Sequence, residues 1–151
     1  MGANSKIQWC DHTFNPWRGC TKVSAGCANC YAETQSYRNL KVLGQWGPNG
    51  TRVVASEAMW REPIKWDREA ETACDSYERP RVFCASLADL FETWEICMRA
   101  SNGRELRHNP HTGTWSTQWD EHPEWDLVQM DDVRSELFTV IEETDNLDWL
   151  L

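Results

Sequence analysis

The 151-residue chain lacks the long apolar and basic runs that mark several common protein classes. No apolar run approaches the roughly 20 residues that a membrane-spanning helix needs. The N-terminal residues, MGANSKIQW, lack the charged and apolar regions of a secretory signal. No basic run argues for nucleic-acid binding either. We therefore expect a cytoplasmic protein with no membrane partner.

The cysteines are numerous but incompletely grouped. The chain has seven, an odd number, so they cannot all pair with one another. Three fall in the stretch NPWRGCTKVSAGCANCYAE, at Cys20, Cys27 and Cys30, with the spacing C-x6-C-x2-C. No fourth cysteine stands beside them, and a second C-x2-C pair is absent. Because disulfides are rare in the cytosol, the cluster indicates metal binding or catalysis.

Negative charge is concentrated at one end of the chain. Residues 120–151 carry eleven acidic residues and one basic residue, whereas residues 1–119 carry thirteen and fourteen, so the body is close to neutral. A broadly acidic surface would repel nucleic acid, but a neutral body leaves such a partner open. We expect most of the ten tryptophans to serve as packing residues.

Hydrophobic periodicity and Gly/Pro punctuation predict an alternation of strands and helices. In the first half of the chain we expect a strand at 6–9, the cysteine loop, a helix from Tyr31 to Leu43 capped by Gly44, and a loop at 44–51. A partly helical segment at 52–78, interrupted by Pro63, then leads to a strand at 81–86 and a helix at 88–98. After an irregular stretch at 99–124 we expect a helix from Asp131, with Asp131 or Asp132 as its N-cap, and a strand at 147–151.

This βα alternation favours a parallel sheet or barrel. We expect one α/β domain over residues 1–151, with an insertion at 95–124. The last predicted strand coincides with the last residue, so we expect the chain to be the N-terminal part of a longer protein.

Two metal groups suit the cysteine loop. A [4Fe–4S] cluster on three thiolates leaves one iron open to bind a small molecule. A structural zinc ion would need a fourth protein ligand, for which His12 or Cys10 is available. Cys74, Cys84 and Cys97 are scattered outside the loop, and we expect Cys84 and Cys97 to be small core residues.

The loop resembles that of radical S-adenosylmethionine (SAM) enzymes, notably relatives of spore photoproduct lyase. Residues 5–33 together with RVFCASLADLFE, 81–92, more closely resemble the phage Gp37/Gp68 family (domain of unknown function DUF5131). The resemblance covers roughly residues 5–94 and 125–151. The matching positions are Trp9, Asp11, Thr13, Asn15, Pro16, Gly19, Cys20, Lys22, Ser24, Gly26, Cys27, Cys30, Tyr31, Ala32 and Glu33.

The resemblance implies the N-terminal portion of a radical SAM-like partial (βα) barrel. It implies that Cys20, Cys27 and Cys30 hold a [4Fe–4S] cluster, that SAM binds its open iron, and that a 5′-deoxyadenosyl radical modifies or repairs a substrate. Nucleic acid or a nucleoside is the expected substrate class by analogy, in the host cytoplasm if the chain is phage-encoded. The alternative is a non-catalytic zinc-binding phage module.

Several further residues are candidates near this loop. Ser86 and Asp89 follow a predicted strand and are the expected contacts of the SAM amino group, although Ser86 also suits a helix cap. We expect Asn15 and Asp11 to brace the loop by Asx-type hydrogen bonds. Other candidates are Arg18 and Lys22, which could offset cluster charge, and His108, His111 and His122, whose spacing matches no strong metal motif.

Overall fold

The structure is a computed structural model that describes residues 2–73, 78–109, 111–112, 114–117 and 125–151. Its strands are β1 (His12–Phe14), β2 (Trp17–Arg18), β3 (Val53–Val54), β4 (Arg81–Cys84), β5 (Ile96–Ala100), β6 (Leu106–His108), β7 (Trp115–Thr117), β8 (Trp125–Gln129) and β9 (Asp148–Leu150). Its helices are α1 (Tyr31–Arg38), α2 (Leu40–Leu43), α3 (Glu57–Thr72) and α4 (Met130–Glu142), with a 3-10 helix at Ala25–Asn29.

Three parallel strands form the first sheet, in the order β1-β4-β9. The register pairs His12 with Val82 and Val82 with Trp149. Parallel neighbours need long crossover connections, and helices lie in both crossovers here. The expected α/β class with a parallel sheet is therefore confirmed, while the partial barrel stays a prediction.

A second sheet stands beside the first and has mixed directions. Its order is β2-β3-β5-β8, in which only the β3–β5 pair is parallel. Strands β6 and β7 form a separate antiparallel pair. The stretch expected to be irregular at 99–124 thus contains strands, although residues 118–124 lie outside the described part of the chain.

The helix predicted at 88–98 is wrong. Residues Ile96–Ala100 form β5, which pairs with β3 on one side and β8 on the other. A central strand buries side chains on both faces, so its apolar run lacks the alternation that would distinguish it from a helix. The strand predicted at 6–9 is also misplaced: those residues form turns, and β1 begins at His12.

The other helices differ from expectation mainly at their ends. The predicted helix from Tyr31 divides at Asn39 into α1 and α2, and Gly44 is the C-cap of α2 as predicted. Helix α3 continues through Pro63, so the interruption predicted there is wrong. Pro63 is buried, and its packing offsets the helical hydrogen bond that its missing amide costs. The N-cap of helix α4 is Gln129, and not Asp131 or Asp132 as predicted. Both aspartates lie in the first turn, where their negative charges interact favourably with the positive end of the helix dipole.

The main core is formed by the first sheet, helices α3 and α4, and strands β2, β3 and β5 of the second sheet. Its largest fully buried side chains include Trp17, Trp66, Phe14 and Leu137. Other tryptophans pack at its border, as expected for this residue type. Among the described residues, none of the helices is both long and apolar enough to cross a membrane.

Candidate functional site

The three loop cysteines line one cleft of about 390 Å³. Cys20 follows β2, Cys27 lies in the 3-10 helix, and Cys30 is the N-cap residue of α1. The loop between β2 and α1 therefore folds back so that three thiols, separated in sequence by six and by two intervening residues, share one opening. The full lining is Cys20, Thr21, Lys22, Cys27, Cys30, Glu33, Trp46, Gly47 and Pro48.

The segment 44–51 forms the opposite wall of this cleft. The Gly47 amide donates to the Cys20 carbonyl at 3.0 Å, and this bond joins segment 44–51 directly to the cysteine loop. The Trp46 indole Nε1 is buried and has no hydrogen-bond partner within the described part of the chain. From the sequence this segment was only a Gly/Pro-rich loop, so its place at the site is a finding of the structure.

A close backbone approach at Gly19 holds this wall in place. Gly19 has a φ of +115°, and a Cβ there would lie 2.2 Å from the Thr51 carbonyl oxygen. Only glycine tolerates both the conformation and the contact. The glycine before Cys20 is thus explained by the packing of segment 44–51 on the loop.

One ion pair stands at the rim of the cleft. The Lys22 ammonium lies 2.6 Å from the Glu33 carboxylate, and both residues line the opening. Since the Lys22 side chain is about half exposed, the pair contributes little to stability. The pair places one positive and one negative charge beside the thiols.

A second pair, Arg52 and Glu92, lies buried behind the loop. The guanidinium makes two hydrogen bonds of 2.6 Å to the carboxylate. A third bond of 2.8 Å runs from Arg52 to the Thr21 hydroxyl, beside Cys20. The ring of Trp94 covers the guanidinium at 3.8 Å. Sequence analysis missed this pair because its members lie 40 residues apart and match no motif.

Arg18, expected near the site, faces elsewhere. Its buried guanidinium pairs with Glu105 at 2.9 Å and donates to the Leu106 carbonyl at β6. Arg52 is therefore the buried cation that contacts the cysteine loop, and Lys22 is the exposed one. The sequence alone does not show in which direction the side chain of an arginine in a strand points.

The segment after β4 lies against the cysteine loop. The Asn15 side-chain Nδ2 donates to the Ser86 hydroxyl at 2.9 Å, and its side-chain Oδ1 accepts from the Leu87 backbone amide at 2.6 Å. Gly19 forms a parallel bridge with Ala88. Asn15 thus holds the loop by bonds to a distant segment and not by the local Asx-type bonds that were expected. Asp11 likewise accepts from the distant Arg81 amide at 2.8 Å.

Ser86 and Asp89 take different places in this segment. The Ser86 hydroxyl bonds Asn15 and its carbonyl accepts from Tyr31 at 2.6 Å, and no described helix begins there. The Asp89 carboxylate accepts from the Phe91 amide at 2.9 Å. Neither side chain lines the cysteine cleft itself, although the Asp89 charge reaches Cys20 and Cys27.

The thiols of the cleft have contrasting acidities. Burial raises the pKa of Cys20 to about 11, with the Glu92 and Asp89 carboxylates adding to the rise and Arg52 opposing it. Hydrogen bonds with the Val23 backbone and the Ser24 hydroxyl lower the pKa of Cys27. Cys27 is therefore the more readily ionised of the two.

The thiols share an opening but do not converge on one point. Among the described residues, no three His, Cys, Asp or Glu side chains are grouped closely enough to hold a single ion. Neither residue expected as a fourth zinc ligand reaches the cleft: His12 stacks on Trp66 at 4.4 Å, and the buried Cys10 faces Ser5.

The remaining metal candidates lie apart from the cleft. Cys84 and Cys97 are buried in the core, as expected. His108 packs against Trp115 in the β6–β7 pair, and His111 is exposed. Cys74 and His122 fall outside the described residues.

Comparison with known proteins places the chain by family alone. No curated protein and no solved structure gives a significant match. One family model matches residues 4–101, which include the cysteine loop, segment 44–51, Arg52 and Glu92. The chain therefore belongs to the family described as "Protein of unknown function (DUF5131)".

Proposed function

We propose that this chain is a radical SAM-like iron–sulfur protein in which Cys20, Cys27 and Cys30 hold a [4Fe–4S] cluster. The observation that carries the proposal is the cleft itself, into which one short loop brings three thiols, with no fourth thiol there among the residues that the structure describes. A four-iron cluster takes each thiolate on a different iron. It therefore needs thiols arranged around an opening and not gathered at one point.

The chemistry would come from the bound group. With SAM bound, the reduced cluster would supply the electron that cleaves a carbon–sulfur bond, which would give methionine and a 5′-deoxyadenosyl radical able to remove hydrogen from a substrate. The protein's part is to bind, orient and shield. Here the Trp46–Pro48 wall covers one side of the cleft, and Lys22 and Glu33 offer polar contacts at the rim.

The proposal extends to the predicted SAM contacts and the setting. The Gly19–Ala88 bridge brings Asp89 beside the loop, which supports a contact between Asp89 and the SAM amino group. The same contact is less well supported for Ser86, because its hydroxyl already bonds Asn15. A nucleic acid or nucleoside substrate and the phage Gp37/Gp68 name rest on resemblance alone, and a cytoplasmic site of action stays a prediction from the sequence.

Metal analysis tests the proposal. Protein purified without oxygen should contain about four irons and four sulfides per chain. The Cys27→Ala variant should lose both, while Cys97→Ala, which alters a cysteine outside the cleft, should keep them. A cluster-loaded protein would then be assayed for SAM cleavage to methionine and 5′-deoxyadenosine under dithionite.

Zinc is the second candidate, and one observation favours it. Glu33 lines the same cleft as the three thiols, and carboxylate oxygen is an accepted zinc ligand, although these four side chains would have to close on one point to hold the ion. One zinc per chain without sulfide, lost in Glu33→Gln and in Cys27→Ala, would overturn the cluster and support a non-catalytic module.

A further inference from the structure

We propose that the buried Arg52–Glu92 pair is the positioning element of the cysteine cleft, holding the Cys20 segment in place and setting the charge felt by the group bound there. This inference rests on the proposed function for its second part only. The first part concerns the chain's own geometry.

The pair is built as a fixed structural unit. Arg52 is 1% exposed and Glu92 is 8% exposed, so both charges are removed from water. Such a pair persists only where its hydrogen bonds are well made, and the two bonds of 2.6 Å meet that condition. Trp94 covers the open face of the guanidinium at 3.8 Å.

The unit is anchored on the side away from the cleft. Arg134 of α4 donates to the Leu90 carbonyl at 2.8 Å and to the Glu92 carbonyl, so it holds the backbone that carries Glu92. The Arg52 backbone carbonyl accepts from the Met98 amide of β5 at 2.7 Å. Both partners are therefore fixed to the second sheet and its helix.

On the side facing the cleft, the unit makes one bond to the loop. Arg52 donates to the Thr21 hydroxyl at 2.8 Å, and Thr21 follows Cys20 directly. A planar guanidinium has enough donors to hold a carboxylate and a third acceptor at once, which an ammonium cannot do in the same geometry. This third bond ties Cys20 to the core.

Thiol accessibility in metal-free protein tests the positioning role. Thr21→Val keeps the shape of the side chain and removes the acceptor. We expect alkylation of Cys20 by iodoacetamide to become about fivefold faster relative to Cys27, since one hydrogen bond restrains the segment. Thr72→Val is the control, because it makes the same chemical change in α3, where the Thr72 hydroxyl bonds the Arg68 and Glu69 carbonyls and contacts neither thiol. Peptide mass spectrometry reads each site separately.

Reduction potential tests the charge role. Glu92→Gln preserves the shape and removes a negative charge beside Arg52. When dithionite donates one electron to the cluster, the negative charge gained is better tolerated in the variant. We expect the reduction equilibrium to shift about tenfold, or about 59 mV towards positive potential. Glu136→Gln is the control, since it unpairs Arg99 in another part of the fold.

Absence of either effect overturns the proposal. If Glu92→Gln does not fold, Thr21→Val, which leaves the buried pair intact, decides by alkylation alone. If wild-type protein binds no iron, the proposed function fails, whereas the alkylation comparison still confirms or overturns the positioning role.

Discussion

Cys20 and Cys27 illustrate how two like residues of one loop acquire different chemistry. Cys20 is tied back to the core through Thr21 and Arg52, with two carboxylates nearby. Cys27 sits in an exposed turn of 3-10 helix, where Val23 and Ser24 stabilise its thiolate. The thiolate is the metal ligand and the nucleophile, so their order of reaction follows from these surroundings.

We predict separate pH profiles for these thiols in metal-free protein. Alkylation of Cys27 should have its midpoint below pH 9, because hydrogen bonding lowers its pKa from the ordinary thiol value. Alkylation of Cys20 should continue to rise towards pH 11, because burial raises its pKa to about 11. Site-resolved mass spectrometry after timed iodoacetamide treatment measures both, and a shared midpoint would contradict the assignment.

His12 predicts an acid-sensitive contribution to stability. Its ring stacks on Trp66 with 5° between planes, and burial lowers its pKa below 6.5. Folding therefore disfavours the protonated ring, so this contribution is present above pH 6.5 and lost as the pH falls through the folded pKa. His12→Phe keeps the stack without titrating. Urea unfolding should show a shallower acid slope in this variant, and equal slopes would refute the role.

At the scale of elements, the cysteine loop depends on the segment packed against it. The Gly47 amide and the Gly19 contact with Thr51 hold segment 44–51 on the loop. Neither contact involves a thiol group, so the shape of the cleft is set by backbone geometry. Changes in that backbone should affect the site without touching a thiol.

Gly19→Ala and Gly47→Ala form a matched pair that tests this dependence. Both glycines have positive φ, but a Cβ on Gly47 meets nothing within 4 Å. Gly47→Ala should cost about 1–2 kcal/mol from conformational strain alone. Gly19→Ala should cost more, since its Cβ would lie 2.2 Å from the Thr51 oxygen, and metal content should fall with it. Equal losses in denaturant titrations would contradict the packing argument.

At the scale of the whole molecule, α4 joins the two sheets. Met130, Val133 and Leu137 are buried in the main core. Arg134 on the same helix holds the backbone of residues 90 and 92. The helix therefore supports both the core and the structure behind the cysteine cleft, although it lies beyond the family match at residues 4–101.

Leu137→Ala should reduce the free energy of unfolding by about 2–5 kcal/mol, because it opens a cavity in the core. Phe138→Ala changes the next residue, which is 41% exposed, and should cost about 1 kcal/mol or less. Chemical denaturation of the two variants compares them directly. Similar losses would mean that α4 packs through another face.

Local signals in the sequence were sufficient for part of this structure. Residues 31–43 and the helix from 131 carry long helical periodicity, and strand 81–84 is an apolar run after a proline. The α/β class followed from their alternation. The cysteine spacing marked the site, because three thiols so close in sequence need no tertiary contact to be recognised as a group.

Tertiary structure alone decided what depends on distant partners. Ile96–Ala100 became a strand because β3 and β8 flank it, and its apolar run does not encode that choice. His12 turned to Trp66, and Arg18 to Glu105, because side-chain direction follows from packing and not from residue type. The wall at Trp46 and the Arg52–Glu92 pair reached the cleft across 16 residues or more of chain, where no spacing rule operates.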